Sequence, residues 1–177
     1  GRNGRRVLAI ASKTHTASSF SDFDERGMSY LGAISFEDPL KDSTKEAIEK
    51  AMSLGVQVKI VTGDAAEVAG NVAYQAGLIK DQSMVITARE LEDDPANLRD
   101  NLAKYNVFAR VDPRQKHWII TQLQSQGHVG FLGEGINDAP ALKASTVGLV
   151  VQSASDIARE ASDIILMEAD LSVIIEG

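Results

Sequence analysis

The chain has 177 residues, 44% of them hydrophobic, which suffices for one domain with a buried core and excludes a disordered chain. A net charge of −7 argues against a nucleic-acid surface and an electrostatic membrane patch, and the lack of cysteine excludes disulfides and a cysteine-based zinc site. No apolar run approaches the ~20 residues that cross a bilayer, and no signal-peptide pattern is present, so we expect a soluble chain. Both ends look cut, and we expect a piece of a larger protein.

The predicted elements alternate between strands and helices. Apolar runs predict strands at residues 7–11, 28–36, 56–61, 84–87, 106–109, 129–132, 147–151 and 163–167. Helical spacing and end signals predict helices at 42–54, 64–76, 112–126, 153–161 and 170–176, a short helix after 138, and one or two acidic surface helices within 88–104. Asp42 or Ser43 is predicted to cap the first of these helices, and Gly55 and Gly77 are predicted to end the first and the second. This alternation is typical of right-handed βαβ units and predicts an α/β fold, a Rossmann-like parallel sheet with helices on both faces.

Residues 13–27 are polar and are predicted to be a linker. They contain Asp22-Phe23-Asp24, which superficially resembles a paired-aspartate nucleophile motif. Such a motif directly follows an apolar strand, whereas polar residues precede this one, so a solvated loop is the favoured interpretation.

The first polar cluster at a predicted strand end is Thr62-Gly63-Asp64. A turn and a helix start explain it, because Asp64 and Glu67 have capping-box spacing. In the functional interpretation, the Thr62 hydroxyl and the Gly63 N–H hold phosphate oxygens at the N-terminus of the following helix. The structural interpretation is favoured for this cluster alone, and both stay open.

The second cluster runs from Asp112 through Pro113, Arg114 and Gln115 to Lys116. Asp112 is predicted to cap a helix, with Pro113 at its first position and Gln115 closing a capping box. Arg114 and Lys116 then lie in the first turn, where the helix dipole disfavours cations by ~0.3–1 kcal/mol each. A bound anion would offset that cost, so a phosphate-binding lysine and a plain helix start are equally favoured.

The third cluster spans Glu134 to Asp138 on a glycine-rich turn after a predicted buried strand. Asp138 is predicted to cap the short helix, with Pro140 in its first turn. The glycines alone could serve the turn, but two carboxylates at the carboxyl end of a central strand suit a hard divalent cation beside a phosphate. We favour the metal interpretation.

Together, the clusters supply a hydroxyl, a lysine and a magnesium site around one phosphoryl group. These are the parts that phosphoryl transfer needs when catalysis consists of positioning and charge neutralisation. No predicted strand ends in a carboxylate nucleophile of the kind that forms an aspartyl-phosphate.

Several stretches of the sequence resemble a known family. Thr62-Gly63-Asp64, the run from Asp112 to Lys116, and GEGINDAPALK (133–143) resemble three signatures of the phosphorylation domain of P-type cation-transport ATPases, which belong to the haloacid-dehalogenase-like superfamily. Asp38-Pro39-Leu40-Lys41 resembles the family's D-P-P-R. The resemblance covers residues 28–177 and is nearest to the magnesium-transporting and proton-pumping branches, slightly more to the magnesium branch. It implies that residues 28–177 are a phosphorylation domain and residues 1–27 a trailing strand and linker of a nucleotide-binding domain.

The resemblance also implies roles for individual residues, with ATP and Mg²⁺ as the cofactors. Thr62, Gly63, Lys116 and Asn137 would serve the aspartyl-phosphate, and Glu134 and Asp138 would serve the magnesium. Asp38, Lys41 and Asp64 would lie near the nucleotide. The implied partners are the nucleotide-binding, actuator and transmembrane domains of a pump, which would place this chain at the cytoplasmic face of a membrane.

Two departures from the family pattern lead to expectations. The nucleophile motif D-K-T-G-T is missing, so we expect the chain alone not to form the covalent intermediate. Position 134 is Glu where the family has Asp, and the longer side chain is expected to weaken or rearrange a magnesium site that tolerates little distortion. The missing motif would occupy a strand in the middle of the sheet, so we expect pairing with a segment supplied in trans, or self-association.

Two other functions stay open. One is a free-standing haloacid-dehalogenase-like phosphatase, against which the absent nucleophile argues. The other is a catalytically degenerate phosphate- or magnesium-binding module that regulates a partner, which Glu134 and the missing aspartate both fit.

Overall fold

The computed structural model describes residues 6–14, 19, 26–36, 39–93 and 102–176. Its strands are β1 (Arg6–Ser12), β2 (Ser29–Phe36), β3 (Ile60–Val61), β4 (Val85–Thr87), β5 (Val107–Ala109), β6 (Gly130–Gly133), β7 (Val147–Val151) and β8 (Ile164–Leu166). Its α-helices are α1 (Asp42–Ser53), α2 (Ala66–Gln75), α3 (Ala88–Asp93), α4 (Pro113–Gln124), α5 (Ala139–Ala144), α6 (Asp156–Ala161) and α7 (Ser172–Glu176). Short 3₁₀ turns lie at Gln82–Met84, Leu102–Lys104 and Ile136–Asp138. The predicted solvated loop at 22–24 and the predicted nucleotide contact Asp38 lie outside the described residues.

Strands of the predicted βαβ units pair in parallel, which confirms the α/β fold class. They form two sheets rather than one, with strand orders β3-β5-β4 and β6-β7-β8. Within the described residues, β3 pairs only with β5 and β6 pairs only with β7, so each of these strands has one unpaired edge. The expected single continuous sheet is therefore divided in two, because no described strand joins β3 to β6.

Helix α4 holds the two sheets together, because adjacent residues of this helix enter two different cores. Ile119 is fully buried in a cluster with Phe108 of β5 and Val61 of β3. Ile120 is buried in a second cluster with Phe131 of β6. The edge strands β3 and β6 consequently both pack against α4, and their carboxyl ends lie near its first turn.

The strand predicted at 56–61 is shorter in the structure than in the prediction. Only Ile60 and Val61 pair with β5, which itself begins at Val107. The preceding residue, Lys59, instead donates its ammonium protons to the carbonyls of Leu102 at 3.2 Å and Tyr105 at 2.7 Å. Residues 56–59, which were predicted to belong to the strand, therefore do not pair with β5, and Lys59 contacts the segment that precedes β5 instead.

Strands β1 and β2 form a separate antiparallel pair, with Arg6 opposite Phe36 and Ser12 opposite Ser29. Strand β2 was expected in the parallel sheet, and this expectation was wrong. Both strands of the pair expose large apolar side chains. Pairing and alternation place Leu8, Ile10, Ile34 and Phe36 on one face, whereas Val7 alternates to the other. Tyr30 and Leu31, at the register shift, are exposed as well. The pairing crosses the predicted domain boundary at 27/28.

Helix ends follow the predictions in part. Asp112 caps α4 and forms the predicted capping box with Gln115. The predicted side-chain caps of α1, α2 and α5 are absent, because Ser43 bonds Asp170, Asp64 lies one residue before the α2 cap position, and Asp138 faces the preceding turn. Gly55 and Gly77 end their helices with φ values of 85° and 74°, a conformation that favours glycine.

Candidate functional site

A buried ion pair lies where α4 meets the turn after β6. The ammonium of Lys116, in the first turn of α4, lies 2.5 Å from Asp138 Oδ1, and the two side chains are only 14% and 13% exposed. The predicted conflict between a first-turn lysine and the helix dipole is thus offset by a carboxylate of the same chain. The second and third polar clusters meet at this pair.

The other oxygen of Asp138 is held by the backbone. Asp138 Oδ2 accepts hydrogen bonds from the N–H groups of Glu134 and Gly135, each at 3.1 Å. Close packing around Gly133 permits this geometry: an added Cβ there would lie 2.8 Å from Asp138 Cβ. Gly133 is therefore required by a close approach of the backbone to a side chain, not only by the turn.

The charge of Asp138 is stabilised despite burial. Burial alone raises the pKa of this carboxyl, but the hydrogen bonds from Lys116, Gly135 and Glu134, with the charge of Lys116, outweigh it and hold the pKa below its usual value. Asp138 is thus a carboxylate across the neutral pH range. A buried carboxylate that stays ionised is suited to bind a cation.

Thr62 and Gly63 lie against the segment that leads into α4. The Thr62 carbonyl accepts from the Val111 N–H at 3.0 Å, and an added Cβ on Gly63 would lie 3.5 Å from the Val111 carbonyl oxygen. The Thr62 hydroxyl accepts from the Asp64 N–H at 3.1 Å, and the Asp64 carbonyl accepts from the Arg110 N–H at 2.8 Å. The first cluster is therefore joined to the second through Arg110 and Val111, which lie between β5 and α4.

Arg110 adopts φ = 55°, which is unusual for a residue with a Cβ and costs about 1–2 kcal/mol. It lies between the end of β5 and the Asp112 cap of α4, where the chain turns across the end of the sheet. The strain is tolerated because backbone hydrogen bonds to residues 62 and 64 hold both sides of the turn.

The remaining predicted residues are placed differently. Glu134 and Asn137 are exposed on the turn that carries Asp138, and no contact of their side chains is described. Lys41 is exposed and donates to the Ala169 carbonyl, at the start of α7 rather than at the Lys116–Asp138 pair. The structure thus brings Lys116 and Asp138 together, connects Thr62 and Gly63 to them through the backbone, and holds Lys41 elsewhere.

One member of the site was not singled out from the sequence. The ring of Phe131 lies with its centroid 5.9 Å from the Lys116 ammonium, within the range of a cation–π contact. The signal was available, because alternation along β6 puts residue 131 on the same face as Gly133, against which Asp138 packs.

Two carboxylates, those of Glu134 and Asp138, lie on the turn after β6. Within the described residues, no group of three or more His, Cys, Asp or Glu side chains could hold a metal ion. Magnesium commonly binds one or two carboxylates and completes its shell with water and phosphate oxygens. Asp138, with Glu134 four residues before it, fits that need. Among the helices of the described ranges, none has the length and apolar character of a membrane span.

Relatives of this chain are cation pumps. The magnesium-transporting ATPase, P-type 1, of Escherichia coli (strain K12) is 43% identical over 183 residues, which are 99% of this chain and 20% of that protein. The corresponding protein of Salmonella typhimurium (strain 14028s / SGSC 2262) is 44% identical over 99% of this chain and 20% of its own length. The calcium-transporting ATPase type 2C member 1 of Homo sapiens is 35% identical over 100% of this chain and 19% of its own length.

These matches confirm the resemblance to P-type ATPases, and the chain spans about a fifth of the length of the relatives it matches. A family model described as haloacid dehalogenase-like hydrolase matches residues 5–146, most of the chain. The parallel strands, the site at their carboxyl ends and this match agree, and the chain belongs to the haloacid dehalogenase-like hydrolase family.

Proposed function

We propose that this chain is the phosphorylation domain of a P-type cation pump, where it holds an aspartyl-phosphate and Mg²⁺ during ATP-driven transport. The observation that carries the proposal is the buried Lys116–Asp138 pair at the carboxyl ends of parallel strands, since it offers one cationic and one anionic group to a phosphoryl–metal complex. Identities of 43% and 44% to magnesium pumps against 35% to a calcium pump support magnesium as the transported ion. In such a pump the site would face the cytoplasm.

The proposed roles are those that the resemblance to P-type ATPases implies for each residue. Lys116 would bind the phosphoryl oxygens, with Thr62, Gly63 and Asn137 around it. Asp138 and Glu134 would ligate the cation. Asp38, Lys41 and Asp64 would serve the nucleotide, and for Lys41 this requires its ammonium to leave the Ala169 carbonyl.

A phosphorylation assay on the whole pump tests this function. In membranes containing the full-length protein, ATP and Mg²⁺ are expected to yield an acid-stable phosphoenzyme. Lys116→Met should reduce it about 100-fold, the usual effect of removing one preorganised donor at a developing charge. Wild-type phosphoenzyme levels in Lys116→Met would contradict the assignment.

The metal role of residue 134 has a separate test. Glu134→Asp shortens the side chain by one methylene and should tighten Mg²⁺ binding to the chain in calorimetry. An unchanged affinity would mean that residue 134 does not ligate the ion, while leaving the role of Asp138 intact.

The unpaired edges of β3 and β6 support a proposal about partners. Both strands pack against α4, and each leaves one row of backbone groups unpaired within the described residues. We propose that one apolar strand ending in D-K-T-G-T pairs between them and delivers its aspartate to Lys116.

A synthetic peptide with that ending should bind the chain and suppress its self-association in light scattering. A monodisperse chain that ignores the peptide would refute this pairing. The isolated chain, incubated with ATP and Mg²⁺, should show no acid-stable label.

A further inference from the structure

Each oxygen of the Asp138 carboxylate has a partner within the protein. Oδ2 accepts two backbone N–H groups at 3.1 Å, so it is fixed by the turn between Gly133 and Asp138. Oδ1 has one partner among the described residues, the Lys116 ammonium at 2.5 Å. A cation that binds Asp138 needs an oxygen not committed to the backbone, and that oxygen is Oδ1.

We infer that Lys116 acts as a placeholder cation: it occupies Asp138 Oδ1 when the site is empty and must release it for a divalent cation to bind. The inference rests on the proposed function, in which Asp138 is a cation ligand. It adds to that function a competition between the Lys116 ammonium and the divalent cation for Asp138 Oδ1.

The competition follows from charge and from the geometry of the pocket. Both side chains are about seven-eighths buried, since 14% and 13% of their surfaces are exposed, so little water is present to screen an ammonium and a divalent cation from one another. Asp138 alone cannot neutralise both, and Glu134, the other proposed ligand, is exposed rather than buried beside Lys116. The lysine is the group that can leave, because its ammonium is carried on a flexible four-carbon stem, whereas Asp138 is fixed by the backbone.

The structure also shows what keeps the displaced ammonium nearby. Besides Asp138, its described contact is the face of the Phe131 ring, a weak partner at 5.9 Å. An anion bound beside the first turn of α4 would give Lys116 a better partner and leave Asp138 Oδ1 to the cation. Anion and cation should therefore bind cooperatively, and the coupling must be equal in both directions.

Calorimetry with MgCl₂ on the whole chain tests the inference. Lys116→Met removes the competitor and should tighten Mg²⁺ binding at least fivefold, within the usual range of about 5–150-fold for coupled sites. The matched control is Lys45→Met, which changes the net charge equally at a lysine whose side chain is 61% exposed. Inorganic phosphate should tighten Mg²⁺ binding to the wild type and should have less effect on Lys116→Met.

If Lys116→Met binds Mg²⁺ no more tightly than Lys45→Met does, the placeholder role is wrong, but the metal role of Asp138 is unaffected. No Mg²⁺ binding by any variant at millimolar concentrations would overturn both the placeholder role and the metal role of Asp138. Should Lys116→Met fail to fold, the side-chain ¹⁵N signal of Lys116 in the wild type decides. It should move on saturation with Mg²⁺, and a fixed signal at saturation would refute the exchange.

Discussion

Gly133→Ala is the most direct perturbation of the site, because it adds one methyl group where the packing is tightest. The new Cβ would lie 2.8 Å from Asp138 Cβ and 3.1 Å from Phe131 Cε1. Neither atom is the free end of a flexible side chain, so the turn or the ring must shift. Overpacking of this kind costs about 1–3 kcal/mol. The loss of glycine's freedom in the unfolded chain returns about 0.4–1 kcal/mol. The difference spans about 0–2.6 kcal/mol, and we therefore expect the free energy of unfolding to fall by about 1 kcal/mol.

Gly130→Ala is the matched control on the same strand. Its Cβ would meet Leu149 Cδ1 at 3.5 Å, an ordinary contact, so the unfolded-state term should dominate and stability should rise by up to about 1 kcal/mol. Urea denaturation followed by the fluorescence of Trp118, the single tryptophan, measures both variants. If both variants have the same stability, the close approach at Gly133 does not constrain the fold, and the reasoning on this turn fails.

Three further predictions concern the ionised groups. Asp138→Asn should lower the free energy of unfolding by about 3 kcal/mol in urea denaturation, because it leaves the Lys116 ammonium buried without a counter-charge, and an unchanged midpoint would contradict this. Asp112→Ala should cost about 1 kcal/mol in thermal denaturation through loss of the α4 cap, and an unchanged melting temperature would contradict the capping role. Hydrogen bonds from Ser43 and Ser172 lower the pKa of Asp170 to about 2. Because that value lies below the unfolded one of about 3.9, the stabilisation is present above pH 4 and is lost as pH falls toward 2. An NMR titration should show the Asp170 pKa rising in Ser43→Ala, and an unmoved pKa would refute the Ser43 contribution.

The local order of elements was predictable because it depends on short-range signals. The glycine stops at Gly55 and Gly77 and the capping box at Asp112 were predicted correctly, since each involves residues within one turn of each other. The other three predicted caps were wrong for two reasons: Asp64 lies one residue before the cap position of α2, and the other two side chains have competing partners. Ser43 and Asp138 each bond a residue of another segment or turn, and sequence spacing does not reveal such competitors.

The sequence by itself determined the α/β class, the order of strands and helices and the family, because periodicity and motif spacing are properties of the linear chain. Only the tertiary structure decided that the parallel strands form two sheets, that β2 pairs antiparallel with β1, and that Lys41 contacts Ala169. It also decided that Lys116 and Asp138, which the sequence assigned to an anion and a cation, neutralise each other at 2.5 Å. These outcomes depend on contacts between residues that are far apart in the sequence. A buried charge is costly unless it is paired, so Lys116 and Asp138 form an ion pair with each other.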